Sequence, residues 1–406
     1  MTAGLKTIEG GVTAPQGFKA ATWRAGIKES RTKDDLALLV TDVPASIAGT
    51  FTTNRIKAPC VTLCQRHLRG GRARAILVNA GNANACTGPQ GAKDARRMAS
   101  HTARLLNLPT AEVFVCSTGT IGIPMPMDKI EAALPALVGG LSLTGGPAAA
   151  QAIMTTDTVA KELAVTFTVD GKPVTLAGMA KGAGMIAPNM ATMLAFLTTD
   201  AAIAAPDLQT ALAAAVAQSF NCIAVDGDES TNDTVLVMAN GRAGHAPLTP
   251  QHPDWPSFCE ALNHVTRTLA LSIVKDGEGA SRFVTVTVQG AASAKDALRA
   301  ARAVALSPLV KTSWCGGDPN WGRIIAAVGY SGAKVKEALV DITFDTLAAV
   351  RGGQRAPGVA LKDLEAVYAR KAFTVTVDLH LGSAAHTIYT CDFTEGYVRI
   401  NAEYMT

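Results

Sequence analysis

In "KGAGMIAPNMATMLAFLTTD", residues 181–200, a glycine-rich loop runs directly into a short apolar segment. The glycines and Pro188 give the loop an irregular backbone path. The apolar residues 193–197 have the length of a buried strand. Loop and strand meet at Thr192. Two interpretations fit this residue: it is an ordinary residue at the start of a strand, or the chain is cut immediately before it.

A cut between Ala191 and Thr192 would give the threonine hydroxyl its own base. This hydroxyl is a weak nucleophile at neutral pH and needs a neighbouring group to take its proton. The α-amino group of a new N-terminus has a pKa of about 7.7–8.0, against about 10.4 for lysine, so a large fraction of it is neutral near neutral pH. Spacing alone leaves both interpretations open, because glycine-rich loops also precede many ordinary strands.

The composition is that of a folded protein with a large core. Hydrophobic residues make up 48% and charged residues 17% of the 406 residues, which argues against disorder. The net charge of +4 comes from interspersed charges, whereas nucleic-acid binding needs a clustered basic face. The sequence shows no signal-peptide core and no apolar run of about 20 residues, so we expect a soluble cytoplasmic protein that binds no membrane.

The residues that usually hold metals lack the spacing of a metal site. The eight cysteines form no CxxC pair, and the seven histidines form no HExxH motif, so structural zinc is not expected. Cys116, Cys222 and Cys391 lie in apolar surroundings and are predicted to be buried free thiols. The acidic run at 226–233 fails the EF-hand pattern, because Thr231 stands where the glycine belongs. We predict a structural loop there and no metal.

Strand-like and helix-like segments alternate along the chain, which predicts an α+β protein with layered, mostly antiparallel sheets and packed helices, an α/β sandwich. Strands are expected at 75–79, 113–116, 284–288 and 373–381, with a hairpin at 165–169 and 174–176. Helices are expected at 92–108, 147–163, from Pro206 onward, at 254–275, and from a Ser293 cap to Leu306. Residues 387–404 are predicted to form one or two strands. Residues 352–357 give weak evidence of a domain boundary or a surface loop.

Further segments resemble those of the ornithine acetyltransferase family, also called the glutamate N-acetyltransferases of arginine biosynthesis. They occur in the family order: "GNANACTG" (81–88), "STGTIG" (117–122), "AIMTTDT" (152–158), "AVDGDESTNDT" (224–234), "VKDGEGAS" (274–281), "GGDPNWGRI" (316–324) and "INAEYMT" (400–406). This set spans nearly the whole chain and is far more specific than any single motif. In that family the chain breaks before the threonine of a similar "MATML" run, which favours the second interpretation of Thr192.

The resemblance implies a self-processing, N-terminal-nucleophile-like architecture. The chain would divide into an α chain of residues 1–191 and a β chain of residues 192–406, assembled as a heterotetramer with two of each. Thr192 would carry an acetyl group from N2-acetyl-L-ornithine to L-glutamate in a ping-pong reaction that needs no cofactor. From the resemblance we also expect acetyl-CoA to serve as a second acetyl donor for the acetylation of glutamate, although the family includes members with and without this activity.

The resemblance also assigns roles to individual residues. The family's oxyanion-hole positions match Thr118 and Gly119. Besides Thr192, the substrate-binding positions match Thr155, Lys181, Glu278, Asn401 and Thr406. Thr156 competes with Thr155, and Met405 stands where the family often has a small polar residue. The glycines and Trp321 of the 316–324 segment are expected to allow a close approach to the nucleophile loop.

Three alternatives compete with this function. A self-processing aminopeptidase or amidohydrolase would use the same nucleophile and pass the acyl group to water. An acetyl-CoA-only N-acetyltransferase would need a pyrophosphate-binding loop, but in "RGGRARA" (69–75) Arg72 occupies the required glycine position. A non-catalytic binding protein would keep an intact chain. The segments at 81–88 and 400–406 favour the acetyltransferase.

Overall fold

The computed structural model describes residues 4–28, 30, 32–187 and 193–403. The predicted cleavage junction at Ala191 and Thr192 and the predicted substrate contact Thr406 lie outside these residues. In the part that is described, the chain forms two β-sheets and eleven α-helices. No helix in that part is both long enough and apolar enough to cross a membrane.

The first sheet contains nine strands. They are β1 (Lys6–Ile8), β2 (Phe18–Trp23), β3 (Leu36–Phe51), β4 (Arg72–Asn82), β5 (Val113–Thr120), β6 (Lys161–Val169), β7 (Lys172–Lys181), β8 (Leu194–Thr199) and β9 (Thr234–Ala239). Their order is β1-β6-β7-β8-β9-β3-β4-β5, with β2 also paired to β3. The β4–β5 and β8–β9 pairs are parallel, and the others described for this sheet are antiparallel.

The second sheet contains six strands in the order β13-β12-β11-β14-β10-β15. They are β10 (Phe283–Ala291), β11 (Asp341–Phe344), β12 (Leu347–Arg351), β13 (Gln354–Arg355), β14 (Ala372–Asp378) and β15 (Ala384–Cys391). The β10–β14 pair is parallel, and the other described pairs are antiparallel. The expected α+β class with mostly antiparallel sheets is therefore confirmed.

The helices cover the faces of both sheets. They are α1 (Pro59–Leu68), α2 (Gly88–Leu106), α3 (Met127–Gly139), α4 (Gly146–Ala152), α5 (Ala205–Ala217), α6 (Trp255–Lys275), α7 (Ala294–Leu306), α8 (Pro308–Gly316), α9 (Trp321–Tyr330), α10 (Leu361–Tyr368) and α11 (Glu395–Glu403). Helices α1 to α3 pack on one face of the first sheet and α4 on the other. Helices α5 and α6 cover β6 to β9, and α7 to α10 cover the second sheet.

The central part of strand β4, residues 75–78, is continuously apolar because both of its faces are covered. Ala75 and Leu77 pack against α1, α2 and α3, whereas Ile76 and Val78 point into the cluster on the opposite face. Both faces of the strand are buried, so no position in this run is left for a polar residue. The layered arrangement brings the ends of β4 and β5 into the interior of the molecule.

Several local predictions are confirmed. The hairpin at Asp170 and Gly171 turns with positive φ at both residues (52° and 73°), the geometry that favours Asp-Gly between paired strands. The Ser293 hydroxyl accepts a hydrogen bond from the Asp296 amide and caps α7. Cys116, Cys222 and Cys391 are buried and free.

Three local predictions need correction. The helix expected at 147–163 ends at Ala152, and residues from Lys161 onward form β6, because pairing with β7 outweighs the helical spacing of that segment. The strands expected at 387–404 end at Cys391, and α11 follows. Residues 352–357 include the turn of the β12–β13 hairpin, so the surface-loop interpretation is correct and the domain-boundary interpretation is wrong.

Candidate active site

The site lies where β7 ends and β8 begins. Lys181 pairs with Leu194 in the antiparallel register of the two strands, so β7 ends and β8 begins at the same end of the first sheet. The Met193 amide donates a hydrogen bond of 2.7 Å to the Asp233 carboxylate. The Thr234 amide in turn donates to the Met193 carbonyl, at 3.2 Å. The backbone N–H and C=O of Met193, the residue that follows Thr192, are therefore both held by hydrogen bonds.

The two predicted oxyanion-hole residues lie at the end of β5. Gly119 has a φ of 129°, and a Cβ there would overlap the backbone of Gly81 on the neighbouring strand. Only glycine fits this position. The Lys181 ammonium donates to the Thr118 hydroxyl oxygen at 3.4 Å. This contact leaves the hydroxyl hydrogen of Thr118 free to point elsewhere.

Lys181 is fully enclosed, at 3% exposure. Burial lowers the pKa of its ammonium, and the Asp157 carboxylate opposes that effect. Asp157 is itself held by three donors, the Lys161 ammonium and the backbone amides of Thr155 and Gly182. Burial would raise the pKa of Asp157, but Lys181 and Lys161 outweigh it and lower the pKa to about 2. The carboxylate therefore ties the Thr155 loop to the chain that follows Lys181.

Glu278 and Asn401 meet across the site. The Glu278 amide donates to the Ala183 carbonyl at 2.8 Å, which fixes the acid beside the glycine-rich loop. Its carboxylate accepts a hydrogen bond of 2.7 Å from the Asn401 amide. Asn401 lies on α11, so a helix delivers this predicted substrate residue to the site.

Asp226 is an acid that the sequence reasoning placed only in a structural loop. Its carboxylate accepts hydrogen bonds from the backbone amides of Met185 and Ile186, at 2.6 and 2.9 Å. The Tyr397 hydroxyl donates to it at 3.2 Å. Met185 has a φ of 56°, an uncommon conformation for a residue with a side chain. Asp226 thus fixes the bent backbone of the loop that leads toward Thr192.

Asn232 ties the acidic loop to the two central strands. Its side-chain amide donates to the carbonyl of Ala83, just after β4, and to that of Ser117 on β5, at 2.6 and 2.8 Å. Both carbonyls flank the predicted oxyanion-hole residues. The loop before β9 is therefore bonded to the ends of both β4 and β5.

These residues enclose a cavity of about 300 Å³, at the lower end of the range for small-ligand sites. All six predicted site residues within the described chain line it: Thr118, Gly119, Thr155, Lys181, Glu278 and Asn401. Thr156 lines it as well, so the choice between the two threonines stays open. One buried ammonium and several carboxylates face a space suited to an amino acid that carries charges of both signs.

The residues missed from the sequence left a partial signal. Tyr397 lies four positions before the predicted residue Asn401, which places both on one face of a helix, but Tyr397 was missed because the segment was assigned to strands. The acidic run at 226–233 does line the cavity through several of its members. Trp321, expected near the nucleophile loop, instead is partly buried against the core of the second sheet, and Asn320 caps α9 there. These contacts of Trp321 and Asn320 give the 316–324 segment a structural role.

Comparisons with known proteins show which family the chain belongs to. The model of the ArgJ family matches residues 19–406. The arginine biosynthesis bifunctional protein ArgJ of Geobacter sulfurreducens is 50% identical over 391 residues, covering 96% of this chain and 99% of the relative.

A crystal structure of ArgJ from Bacillus halodurans is 43% identical, with a TM-score of 0.50, and covers 52% of this chain and 98% of the solved chain. A structure of ornithine acetyltransferase from Mycobacterium tuberculosis, complexed with ornithine, is 43% identical with a TM-score of 0.42, covering 45% of this chain and 98% of that chain. This chain therefore belongs to the ArgJ family and is an acyltransferase.

Proposed function

We propose that this protein transfers the acetyl group of N2-acetyl-L-ornithine to L-glutamate through an acetyl ester on Thr192. The observation that carries the proposal is the cavity, because it gathers residues that are far apart in the sequence and that the family resemblance names for this chemistry. The curated relatives, named bifunctional proteins of arginine biosynthesis, support the same pathway. Acetyl-CoA, as an alternative donor, would supply the second of two activities.

We propose that the nucleophile arises by cleavage between Ala191 and Thr192. The curated relatives match this chain over nearly its full length, yet the solved Bacillus halodurans chain covers only 52% of it. A solved chain of about half the length is what a mature protein made of two pieces would give. Residues 1–191 and 192–406 are two pieces of about that size. The resemblance extends the proposal to a heterotetramer with two copies of each piece, and the molar mass in solution tests it.

The proposed reaction consists of two half-reactions. The Thr192 hydroxyl gives its proton to the α-amine and attacks the acetyl carbonyl of acetylornithine. The proton passes to the departing ornithine nitrogen as its C–N bond breaks, leaving the acetyl ester. The glutamate amine then attacks this ester, its proton returns to the threonine oxygen, and acetylglutamate leaves. No cofactor is needed, because one amide is broken and a similar amide is formed.

The described residues lower the barrier of both halves. Each half passes through a tetrahedral oxyanion, which preorganised hydrogen-bond donors stabilise. The Gly119 amide and the Thr118 hydroxyl are the donors for it, and the Lys181 contact orients that hydroxyl. The ammonium of Lys181 complements a substrate carboxylate, and the Glu278 carboxylate complements the ornithine side-chain ammonium. The same cavity can serve ornithine and glutamate in turn, since both carry an α-carboxylate.

The test is a labelled-acetyl experiment with the purified protein. Acetyl-labelled N2-acetyl-L-ornithine without glutamate should place label on the peptide that begins at Thr192, and added glutamate should convert the label into acetylglutamate. Thr192→Ala should abolish both signals, whereas Thr168→Ala, on the exposed face of β6, should leave them unchanged. Steady release of labelled acetate without glutamate would instead establish the amidohydrolase. An intact chain that takes up no label would establish a binding protein.

A further inference from the structure

Two aliphatic residues interrupt a cavity wall that is otherwise mostly polar or charged. They are Ala83, just after β4, and Ile121, just after β5. Met185 lines the cavity as well, but its backbone amide is bonded to the Asp226 carboxylate, which places it in a polar region. Neither aliphatic side chain can bind the charged groups of ornithine or glutamate, so this part of the wall suits an uncharged part of the substrate.

The strand ends place both residues beside the predicted oxyanion hole. Ile121 follows Gly119 by two positions. The Ala83 amide donates a hydrogen bond of 2.9 Å to the carbonyl of Thr120, the residue between them. Gly81 pairs with Gly119 in the parallel register of β4 and β5. Ala83 and Ile121 therefore lie next to each other at the end of the sheet that carries the oxyanion donors.

This part of the wall is backed by a packed core. The Ala83 carbonyl accepts the side-chain amide of Asn232 at 2.6 Å, so both backbone groups of Ala83 are bonded. Its side chain is 3% exposed and belongs to the core beneath α1 to α3. Ile121 is partly buried against the same core. Protein interiors contain few voids, so the wall cannot readily widen for a larger group.

Covalent geometry directs the acetyl methyl toward this wall. The methyl carbon and the carbonyl oxygen of an acetyl group share one carbon, which keeps them about 2.4 Å apart. An oxygen bound in the oxyanion hole therefore leaves the methyl close to the hole. The ornithine part carries a carboxylate and ammonium groups, which favour Lys181 and Glu278. The methyl gains most by burial against aliphatic side chains.

We propose that Ala83 and Ile121 form the acyl pocket of the enzyme and restrict the transferred group to acetyl. The proposal rests on the proposed function, because it assumes that Thr118 and Gly119 bind the acyl oxygen. A propionyl group would push one more methylene against the wall. A hydrophobic pocket typically discriminates one methylene by about 10- to 200-fold. The chemistry is the same for either group, since the same C–N bond breaks and the same kind of ester forms.

Removal of atoms from the wall should admit the larger group. Ile121→Ala and Ala83→Gly open the pocket from the two strand ends, and Ile121→Val is a milder change that removes one methylene. The ratio of kcat/KM for N2-propionyl-L-ornithine to that for N2-acetyl-L-ornithine should rise about tenfold or more in the first two variants and less in the third. Partial unfolding lowers both rates together and leaves this ratio unchanged, so the ratio separates a specificity role from a structural one.

The experiment incubates each purified full-length protein with either acyl donor and L-glutamate, and quantifies the acylglutamate by mass spectrometry. Ile123→Ala is the matched control, because Ile123 is 48% exposed and lies outside the lining of this cavity. The control should keep the wild-type ratio. A wild-type ratio in all three wall variants overturns the inference. Absence of transfer from N2-acetyl-L-ornithine in the wild type would instead refute the proposed function.

Discussion

At the scale of single residues, Gly184 lies directly against the Glu278 carboxylate. A Cβ built on Gly184 would overlap the Glu278 carboxylate. The glycine is therefore required by the acid that faces it, and no positive φ is involved. Because the clash falls on the free end of a flexible side chain, a larger residue at position 184 should displace the carboxylate and leave the fold intact.

We predict that Gly184→Ala raises the KM for acetylornithine by roughly ten- to a hundredfold, since hydrogen bonds to charged groups contribute about 1.5–3 kcal/mol. Thermal stability should change little. Gly329→Ala is the matched control, because nothing lies within 4 Å of a Cβ at that position. Steady-state kinetics with both substrates measures the effect. A KM equal to that of the control would remove Glu278 from substrate binding.

The sequence predicted part of this site at the residue scale. Recognition of whole motifs singled out Lys181, Glu278 and Thr118, and all three line one cavity. Asp226 and Asp233 were not singled out, because their function depends on which backbone amides lie opposite them in three dimensions. The Met193 amide that Asp233 binds is 40 positions away, and no local pattern records such a distance.

At the scale of elements, two buried ion pairs that share Lys161 connect the parts of the site. Lys161, the first residue of β6, bonds to Asp157 at 2.7 Å and to Asp276, after α6, at 2.6 Å. Asp276 also accepts hydrogen bonds from the backbone amide and hydroxyl of Thr158. Lys161 and Asp157 would belong to the proposed α chain and Asp276 to the β chain. The ion pairs thus link the Thr155 loop to the segment that carries Glu278.

Lys161→Met should destabilise the protein by about 3–5 kcal/mol, because it leaves two buried carboxylates without their cation. Arg242→Met, which breaks a pair with Asp42 in which both side chains are more than 40% exposed, should cost no more than about 1 kcal/mol. Urea unfolding at neutral pH compares the two. Equal losses would show that the Lys161 network contributes no more than a surface pair.

The two element errors have physical causes. Residues 158–163 fit a helical pattern, but β6 gains a full antiparallel partner in β7, and tertiary pairing overrides local preference. The start of α11 is set by Thr394, whose hydroxyl accepts the Gly396 amide and donates to the Gly279 carbonyl. That second contact is long-range, so the sequence could not reveal it. Segments with strong local signals, such as the capped α7, were predicted correctly.

At the scale of the whole molecule, the strand order explains how a cut protein can stay assembled. Strands β8 and β9 lie after the proposed cut, yet they are inserted between β7 and β3, which lie before it. Separating the two pieces would leave β7, β3, β8 and β9 each with an unpaired edge. It would also expose the apolar faces beneath α5 and α6. Neither piece can complete the first sheet alone, so both should remain together after cleavage.

The most direct test of the central claim is to measure the mass of the purified protein under native and denaturing conditions, with N-terminal sequencing. We predict one native species that separates on denaturation into two chains, the second beginning at Thr192 with the sequence TMLAF. Thr192→Ser keeps the hydroxyl and should still be cut, whereas Thr192→Ala should give a single chain of 41.9 kDa. A wild-type protein that is fully active as one uncut chain would contradict the account.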